Sequence, residues 1–155
     1  MRIDYYIGSF PDVLVPLFEE FEDKVSPKVN DCWTADALIA EILNSDAGVW
    51  SVSENSSHIA LVVSRVVYYG ENDGPWLEVP ALVGSRFEEW IDGILANLFL
   101  YVGQERMKGV RAICRPGMSR WLVKRGFLVN GHYTEWNSEQ KRQTNVNYNI
   151  NDCAA

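Results

Sequence analysis

The stretch WLEVPALVGSRFEEWIDGILANLFLYV, residues 76–102, decides the fold of this chain. Its first part, Trp76 to Val83, predicts a β-strand that is interrupted at Pro80, because proline cannot donate a hydrogen bond to a strand ladder. Its second part begins a helix over about residues 86–107, with apolar side chains recurring at helical spacing along one wide face. A strand followed by a long amphipathic helix indicates a helix packed on a central sheet.

The segments on either side complete a mixed α/β domain. Those before this stretch predict a strand, two helices and two strands, over residues 2–7, 13–21, 35–43, 49–53 and 58–69. Those after it predict a strand, a short helix and a last strand bent near Gly131, over residues 110–114, 118–125 and 127–136. The order β-α-α-β-β-β-α-β-α-β predicts an antiparallel meander that leads into a β-α-β crossover.

Length and composition exclude several classes of protein. The 155 residues fit one globular domain, since 47% of them are hydrophobic and 23% are charged. Cys32, Cys114 and Cys153 are odd in number and far apart, and there are two histidines, which argues against a disulfide framework and a metal site. The start of the chain has no apolar leader and no stretch fits a membrane span, so we expect a soluble cytoplasmic protein without membrane contact.

The element order resembles that of the GNAT superfamily of amine N-acetyltransferases over about residues 2–136. Two short matches support it, Val79-Pro80 in the fourth strand and the run from Lys124 to Phe127 after the last helix. The resemblance implies a mixed central sheet with flanking helices. It also implies that acetyl-CoA enters a gap beside the fourth strand, and that a glycine-containing loop at a helix N-terminus binds its pyrophosphate through N–H groups.

The sequence departs from both motifs of that family. In the cofactor loop, counted from Pro80, Gly84 is the one residue that matches, and Glu88 and Glu89 put two carboxylates in the first turn of the helix. Acidic groups there repel a bound pyrophosphate. The usual tyrosine acid falls at Leu122, which cannot protonate a thiolate. We therefore expect a degenerate member of the fold that uses no cofactor.

An active acetyl-CoA-dependent N-acetyltransferase is the alternative. Glu78 would then be the general base, and Tyr133 would be the acid if the fold brought it to the site. The competing interpretation, which we favour for both residues, places Glu78 at a solvent-facing strand end and gives Tyr133 no catalytic role. The cofactor would be held by backbone groups of Val79, Gly84, Ser85 and Arg86.

Charge is distributed unevenly along the chain. Residues 1–105 contain 18 acidic and 5 basic side chains, whereas residues 106–155 contain 3 acidic and 9 basic ones. The basic segment 106–125 has three interpretations: contact with the phosphates of CoA, contact with nucleic acid or an acidic protein, or pairing with the acidic residues of this chain or of a second copy. We favour the last, because surface charges usually do little beyond solubility.

Binding or assembly is the function that these observations favour over acetyl transfer. The predicted contact surfaces are the helix face widened by Leu100 and Tyr101, the basic segment 106–125, and a polar tail over residues 137–155 that follows a GNAT-like domain at residues 1–136. The chain is also similar in general character to small GNAT-like proteins of tailed bacteriophages. That similarity implies a protein partner or self-association, in the host cytoplasm or in the virion.

Overall fold

Seven strands form one mixed sheet in the order β1-β2-β3-β4-β5-β7-β6 in this computed structural model, which describes residues 1–29, 33–70, 74–113, 116–130 and 133–137. The strands are β1 (Arg2–Ile7), β2 (Ala47–Glu54), β3 (Ser57–Tyr68), β4 (Pro75–Gly84), β5 (Gly109–Ala112), β6 (Leu128–Asn130) and β7 (Tyr133–Asn137). The α-helices of the described residues are α1 (Val15–Glu20), α2 (Ala35–Leu43), α3 (Phe87–Gln104) and α4 (Pro116–Val123). No helix among these residues is long and apolar enough to cross a membrane.

The sheet confirms the predicted meander and crossover. Strands β1 to β4 pair antiparallel in sequence order, and α3 then carries the chain to β5, which lies parallel to β4. Antiparallel β7 and β6 complete the sheet beside β5.

Two apolar clusters cover the two faces of the sheet. On one face α3 buries the stripe that its sequence predicts, including Trp90, Ile94 and Leu98. On the other face α1 and α2 bury Phe18 and Ile42 against the strands. Full burial of each large apolar side chain contributes about 1.5–3 kcal/mol to folding.

Two predicted elements are wrong in extent. The first helix, predicted over residues 13–21, is too short. A π-helical turn over Phe21–Val25 and a 3-10 turn over Ser26–Val29 continue it. The predicted last strand over residues 127–136 is two antiparallel strands, β6 and β7. The register pairs Asn130 with Tyr133, so two residues join the strands, and the glycine that follows Asn130 in the sequence is typical of such a tight hairpin.

An extra residue in β4 shapes the centre of the sheet. Val63 of β3 pairs with Ala81, but Arg65, two residues later, pairs with Glu78, so β4 has three steps against two in β3. Such a bulge reverses the side to which the following side chains point, and it tolerates the missing N–H of Pro80. The interruption predicted at Pro80 is therefore confirmed.

Candidate functional site

Strands β4 and β5 separate immediately after the bulge. Their parallel pairing covers only Leu77 to Val79, and the last contact is a hydrogen bond from the Ile113 N–H to the Val79 carbonyl oxygen at 3.3 Å. A cavity of about 270 Å³ opens between Leu82 to Gly84 on one side and Ile113 on the other, and Glu20, Phe21, Lys24 and Val25 form a third wall. We call this cavity the β4–β5 cleft.

A second and larger cavity adjoins the cleft. It has a volume of about 630 Å³ and lies where the N-terminal turns of α3 and α4 meet. Phe87 and Met118 line both cavities, and Trp121 adds a further wall to this one. We call it the helix-end cavity.

Arg86 is the residue that precedes α3, and three acidic residues, Glu54, Glu88 and Glu89, lie near it in space or in sequence. Its backbone is left-handed, with φ of 58°, and its side chain turns back towards the β2–β3 hairpin. The guanidinium donates two hydrogen bonds of 3.1 Å to Glu54, and bonds of 2.6 and 2.8 Å to Glu89. These bonds, first from Glu89 and then from Glu54, raise the pKa of Arg86, and the same contact lowers the pKa of the Glu89 carboxyl.

The backbone just before this turn is used by the fold itself. The Ser85 N–H donates to the Ile59 carbonyl oxygen at 3.1 Å, and the Ser85 carbonyl oxygen accepts from the Trp90 indole at 2.7 Å. Gly84 has φ of +147°, and a Cβ there would lie 2.5 Å from the Cα of Ala60 and from the Ile59 oxygen. The approach of β3 therefore explains why residue 84 is a glycine, without any ligand.

The residues at this turn do not fit a pyrophosphate held as the resemblance implies. Glu54, Glu88 and Glu89 supply three negative charges, and Arg86 supplies one positive charge that is already paired. Free N–H groups at the start of a helix attract anions, but carboxylates in the same turn oppose them. Of the residues predicted to hold a cofactor, Gly84 lines the cleft and Arg86 lines the helix-end cavity.

Glu78 is not at a solvent-facing strand end, so that expectation is wrong. Only 6% of the residue is exposed, because its strand register sets it beside Arg65 and the loop after β3 folds Tyr69 over it. Its carboxylate accepts a hydrogen bond from Arg65 at 3.3 Å and another from the Tyr69 hydroxyl. Glu78 lines neither the β4–β5 cleft nor the helix-end cavity.

Arg65 links Glu78 to a second carboxylate. Its guanidinium also donates to Glu41 of α2 at 2.9 Å. Burial opposes the charged form of Arg65, but the two carboxylates outweigh that effect and raise its pKa. The predicted base is therefore one end of a Glu41–Arg65–Glu78 ion-pair network, and both of its oxygens already accept hydrogen bonds.

Two positions were considered for the general acid, Tyr133 and Leu122, and the structure describes the side chain of Leu122 alone. Tyr133 begins β7, where its backbone pairs with Asn130, and its side chain lies outside the described part of the chain. Leu122 is 4% exposed and belongs to the apolar core under α3.

Trp121 is fixed at the wall of the helix-end cavity. Its ring meets the ring of Phe87 edge to face at 4.9 Å, and the Arg125 guanidinium lies 3.0 Å from its centroid. Arg125 is held in turn by Asp92 at 2.7 Å. The sequence shows two carboxylates directly after Phe87, but it does not show that Trp121, which stands among basic and apolar residues, packs against Phe87.

The basic segment 106–125 is divided between different surroundings. Arg125 pairs with Asp92 of α3, which is a contact between the basic segment and the acidic part of the same chain. Arg111 pairs with Glu135 at 2.7 Å and lies between the rings of Tyr69 and Trp76. The exposed cations of the described residues include Arg106, Arg120 and Lys124, whereas Arg115 lies outside them.

Within the ranges given above, no group of three or more His, Cys, Asp or Glu side chains is placed to hold a metal ion. Cys32, Cys114 and Cys153 all lie outside those ranges, as do residues 138–155 of the predicted tail.

Solved structures with a similar fold include N-acetyltransferases. The PaiA N-acetyltransferase of Thermoplasma acidophilum, solved in complex with coenzyme A, has a TM-score of 0.62 and 12% identity, over 88% of this chain and 99% of that one. Tetrahymena GCN5 has a TM-score of 0.60 and 11% identity, over 90% and 97%. An N-acetyltransferase of Staphylococcus aureus has a TM-score of 0.61 and 10% identity, over 90% and 98%.

No protein-family model and no curated protein sequence matches the chain. At these identities the structural similarity shows the fold alone. The chain has the GNAT fold that its element order predicts, with a mixed sheet and flanking helices.

Proposed function

We propose that this chain is a GNAT-fold protein that acts by binding or assembly, and that its cleft does not take acetyl-CoA in the manner of the enzymes it resembles. The observation that carries this proposal is the Glu54–Arg86–Glu89 ion-pair cluster across the first turn of α3. By the resemblance, this turn corresponds to the loop with which an acetyltransferase would hold the cofactor pyrophosphate.

Electrostatics support the proposal. A pyrophosphate at this turn would meet the carboxylates of Glu88 and Glu89, and the cation of the same turn, Arg86, is already paired. The exposed Lys24 lines the adjoining β4–β5 cleft. To bind Arg86, the ligand would have to break the hydrogen bonds from its guanidinium to Glu54 and Glu89. The side chain would have to move while the backbone of Arg86 kept its left-handed conformation. The remaining attraction comes from Lys24 in the cleft and from the N–H groups at the start of α3, and such attractions are weak at an exposed surface.

The residues at the two catalytic positions also support the proposal. A general base must lie within hydrogen-bond reach of the amine that it deprotonates. The Glu78 carboxylate accepts from Arg65 and Tyr69 and does not line either cavity. The position of the usual acid holds Leu122, which is packed in the core.

Exposed apolar side chains supply surfaces for contact with a protein. Leu100 is 60% exposed on the outer side of α3, and Tyr68 is 71% exposed at the end of β3. Tyr101, by contrast, packs beside Tyr5 and Trp50. A role in a phage particle, a contact with nucleic acid through residues 106–125 and a cytoplasmic location all stay predictions.

The alternative is an acetyl-CoA-dependent N-acetyltransferase that acts on a primary amine. The observation that favours it is the retained opening beside β4, together with a neighbour of the same fold that was solved with coenzyme A. In that case the phosphates would need to displace the Glu54–Arg86 bonds, and Glu78 would need to leave Tyr69.

Calorimetric titration with acetyl-CoA separates the two functions. For the wild-type protein we expect a Kd weaker than about 1 mM. Glu88→Gln removes one charge from the helix-end cavity and should strengthen binding, whereas Glu105→Gln removes one charge at the opposite end of α3 and should not. A wild-type Kd near 1 µM, about −8 kcal/mol, would overturn the proposal.

A further inference from the structure

We propose that the β4–β5 cleft and the helix-end cavity together bind an extended, lysine- or arginine-containing segment of a partner protein. The segment would add to the free edge of β4 and place a cationic side chain at Glu88. This inference rests on the proposed function, because it names the kind of partner and the surface that receives it.

The first support is an incomplete strand edge at the centre of the sheet. On one side β4 pairs with β3 as far as Gly84, opposite Ala60, but on the other side its pairing with β5 stops at Val79. Among the described residues, no strand covers this second edge of β4 from residue 80 to residue 84. Unpaired N–H and C=O groups along a strand are a template for an added peptide strand.

The second support is the shape of the opening. The cleft of about 270 Å³ runs along the free edge of β4 and shares Phe87 and Met118 with the helix-end cavity of about 630 Å³. Volumes of several hundred cubic ångströms are typical of ligand sites. A chain that leaves the β4 edge would pass directly between the N-terminal turns of α3 and α4, which favours an extended occupant over a compact one.

The third support is the chemistry of the walls and the rim. Phe87, Met118 and Trp121 make the walls of the helix-end cavity apolar, and its charged lining residues are Glu88, Glu89 and Arg86. Glu20 and Lys24 add one charge of each sign in the β4–β5 cleft, so the two linings together stay acidic. Glu89 is paired with Arg86, but Glu88 is exposed and makes no ion pair with any residue that the structure describes. Lysine and arginine bury their methylene stems on apolar surface and keep their charge at a polar rim, so they complement both features.

The wall is also held in place before any ligand arrives. Trp121 is fixed between Phe87 and Arg125, and Asp92 anchors Arg125 from α3. A site whose side chains are already ordered loses less entropy on binding.

Fluorescence anisotropy with labelled hexapeptides tests the inference on the full chain. The probe alternates lysine and valine. One comparison peptide has glutamate in place of lysine, and another has alternate backbone nitrogens methylated so that they cannot donate. We expect saturable binding of the lysine peptide, and binding at least about ten-fold weaker for both comparison peptides.

Two variants locate the site. Gly117 has room for a side chain, since the nearest atom to an added Cβ is the Arg120 guanidinium at 3.8 Å, so Gly117→Leu should fill the helix-end cavity without disturbing the fold. It should weaken binding of the lysine peptide about ten-fold. Glu88→Gln should weaken it about two- to five-fold, and Glu105→Gln should leave it unchanged.

The outcomes separate this inference from the proposed function. If the glutamate or the methylated peptide binds as well as the lysine peptide, or if correctly folded Gly117→Leu protein binds normally, the cleft is not a site for a basic strand. If no peptide binds and acetyl-CoA does not bind either, this inference fails while the proposed function stands. Tight binding of acetyl-CoA to the wild-type protein would remove the proposed function itself.

Discussion

Substitution of Gly84 by alanine should destabilise the whole domain, whatever the cleft binds. Residue 84 has φ of +147°, and an added Cβ would approach the Cα of Ala60 and the Ile59 carbonyl oxygen to 2.5 Å. Both are backbone atoms of β3, which is the strand with which β4 is paired along its length, so they cannot turn aside. Backbone strain and overpacking each cost about 1–3 kcal/mol, so the free energy of unfolding should fall by about 2–5 kcal/mol.

The matched control is Gly103→Ala in the last turn of α3. An added Cβ at Gly103 has no atom within 4 Å, and the residue is exposed. Alanine is the better helix former, so the free energy of unfolding should rise by up to about 1 kcal/mol. Urea denaturation followed by tryptophan fluorescence measures both variants. A loss below about 1 kcal/mol for Gly84→Ala would show that β3 yields at this point, and that packing does not explain the glycine.

Three further substitutions test the packing, the ion pairs and the pH dependence. Leu98→Ala in the core, where 2% of the residue is exposed, should lower the free energy of unfolding by about 3 kcal/mol, while Leu100→Ala at 60% exposed should change it by less than about 0.5 kcal/mol. Equal effects of the two would contradict the assigned helix face. Arg111→Lys keeps the charge beside Glu135 but loses the planar group between two aromatic rings, at 4.0 and 4.1 Å, so urea denaturation should show a loss of about 1 kcal/mol. An unchanged stability would mean that the ring contacts contribute nothing. Burial raises the pKa of Tyr5 from 10.0 to about 12, so its contribution to stability is complete below pH 10 and is lost as the pH rises towards 12. Between about pH 9 and about pH 11.5, Tyr5→Phe should therefore lose less stability than the wild-type protein, and an equal loss would argue against the shifted pKa.

The fold could be predicted from sequence because long periodic segments determine it. The stripe of α3 and the β-branched run of β3 require no knowledge of their neighbours, and Pro80 indicated the interruption that the bulge in β4 provides. The prediction was wrong where a local signal was missed. Asn130-Gly131 indicates a hairpin, and the turns from Phe21 to Val29 continue a helix that the apolar spacing predicts only as far as Phe21.

The site could be predicted only in part, because its contacts join residues that are distant in the sequence. The acidic pair at Glu88 and Glu89 was evident, but the bonds from Arg86 to Glu54 depend on where the β2–β3 hairpin comes to lie. The partners of Glu78 likewise depend on a strand register that no local pattern fixes. The sequence therefore indicates that the first turn of α3 is acidic. The ion pairs that hold Arg86 at this turn are visible only in the structure.

The most direct test of the account is an amide NMR titration of the uniformly ¹⁵N-labelled protein with acetyl-CoA. The reporters are the N–H groups of Phe87 and Glu88, which begin α3 and would bind the phosphates, and that of Glu89, which donates to the Arg86 carbonyl oxygen at 2.9 Å and reports on the same turn. The account predicts that these resonances do not shift in a saturable way at millimolar acetyl-CoA, whereas the lysine–valine peptide shifts them together with Val83 and Gly84. Saturable shifts of the three amides at micromolar acetyl-CoA would contradict it.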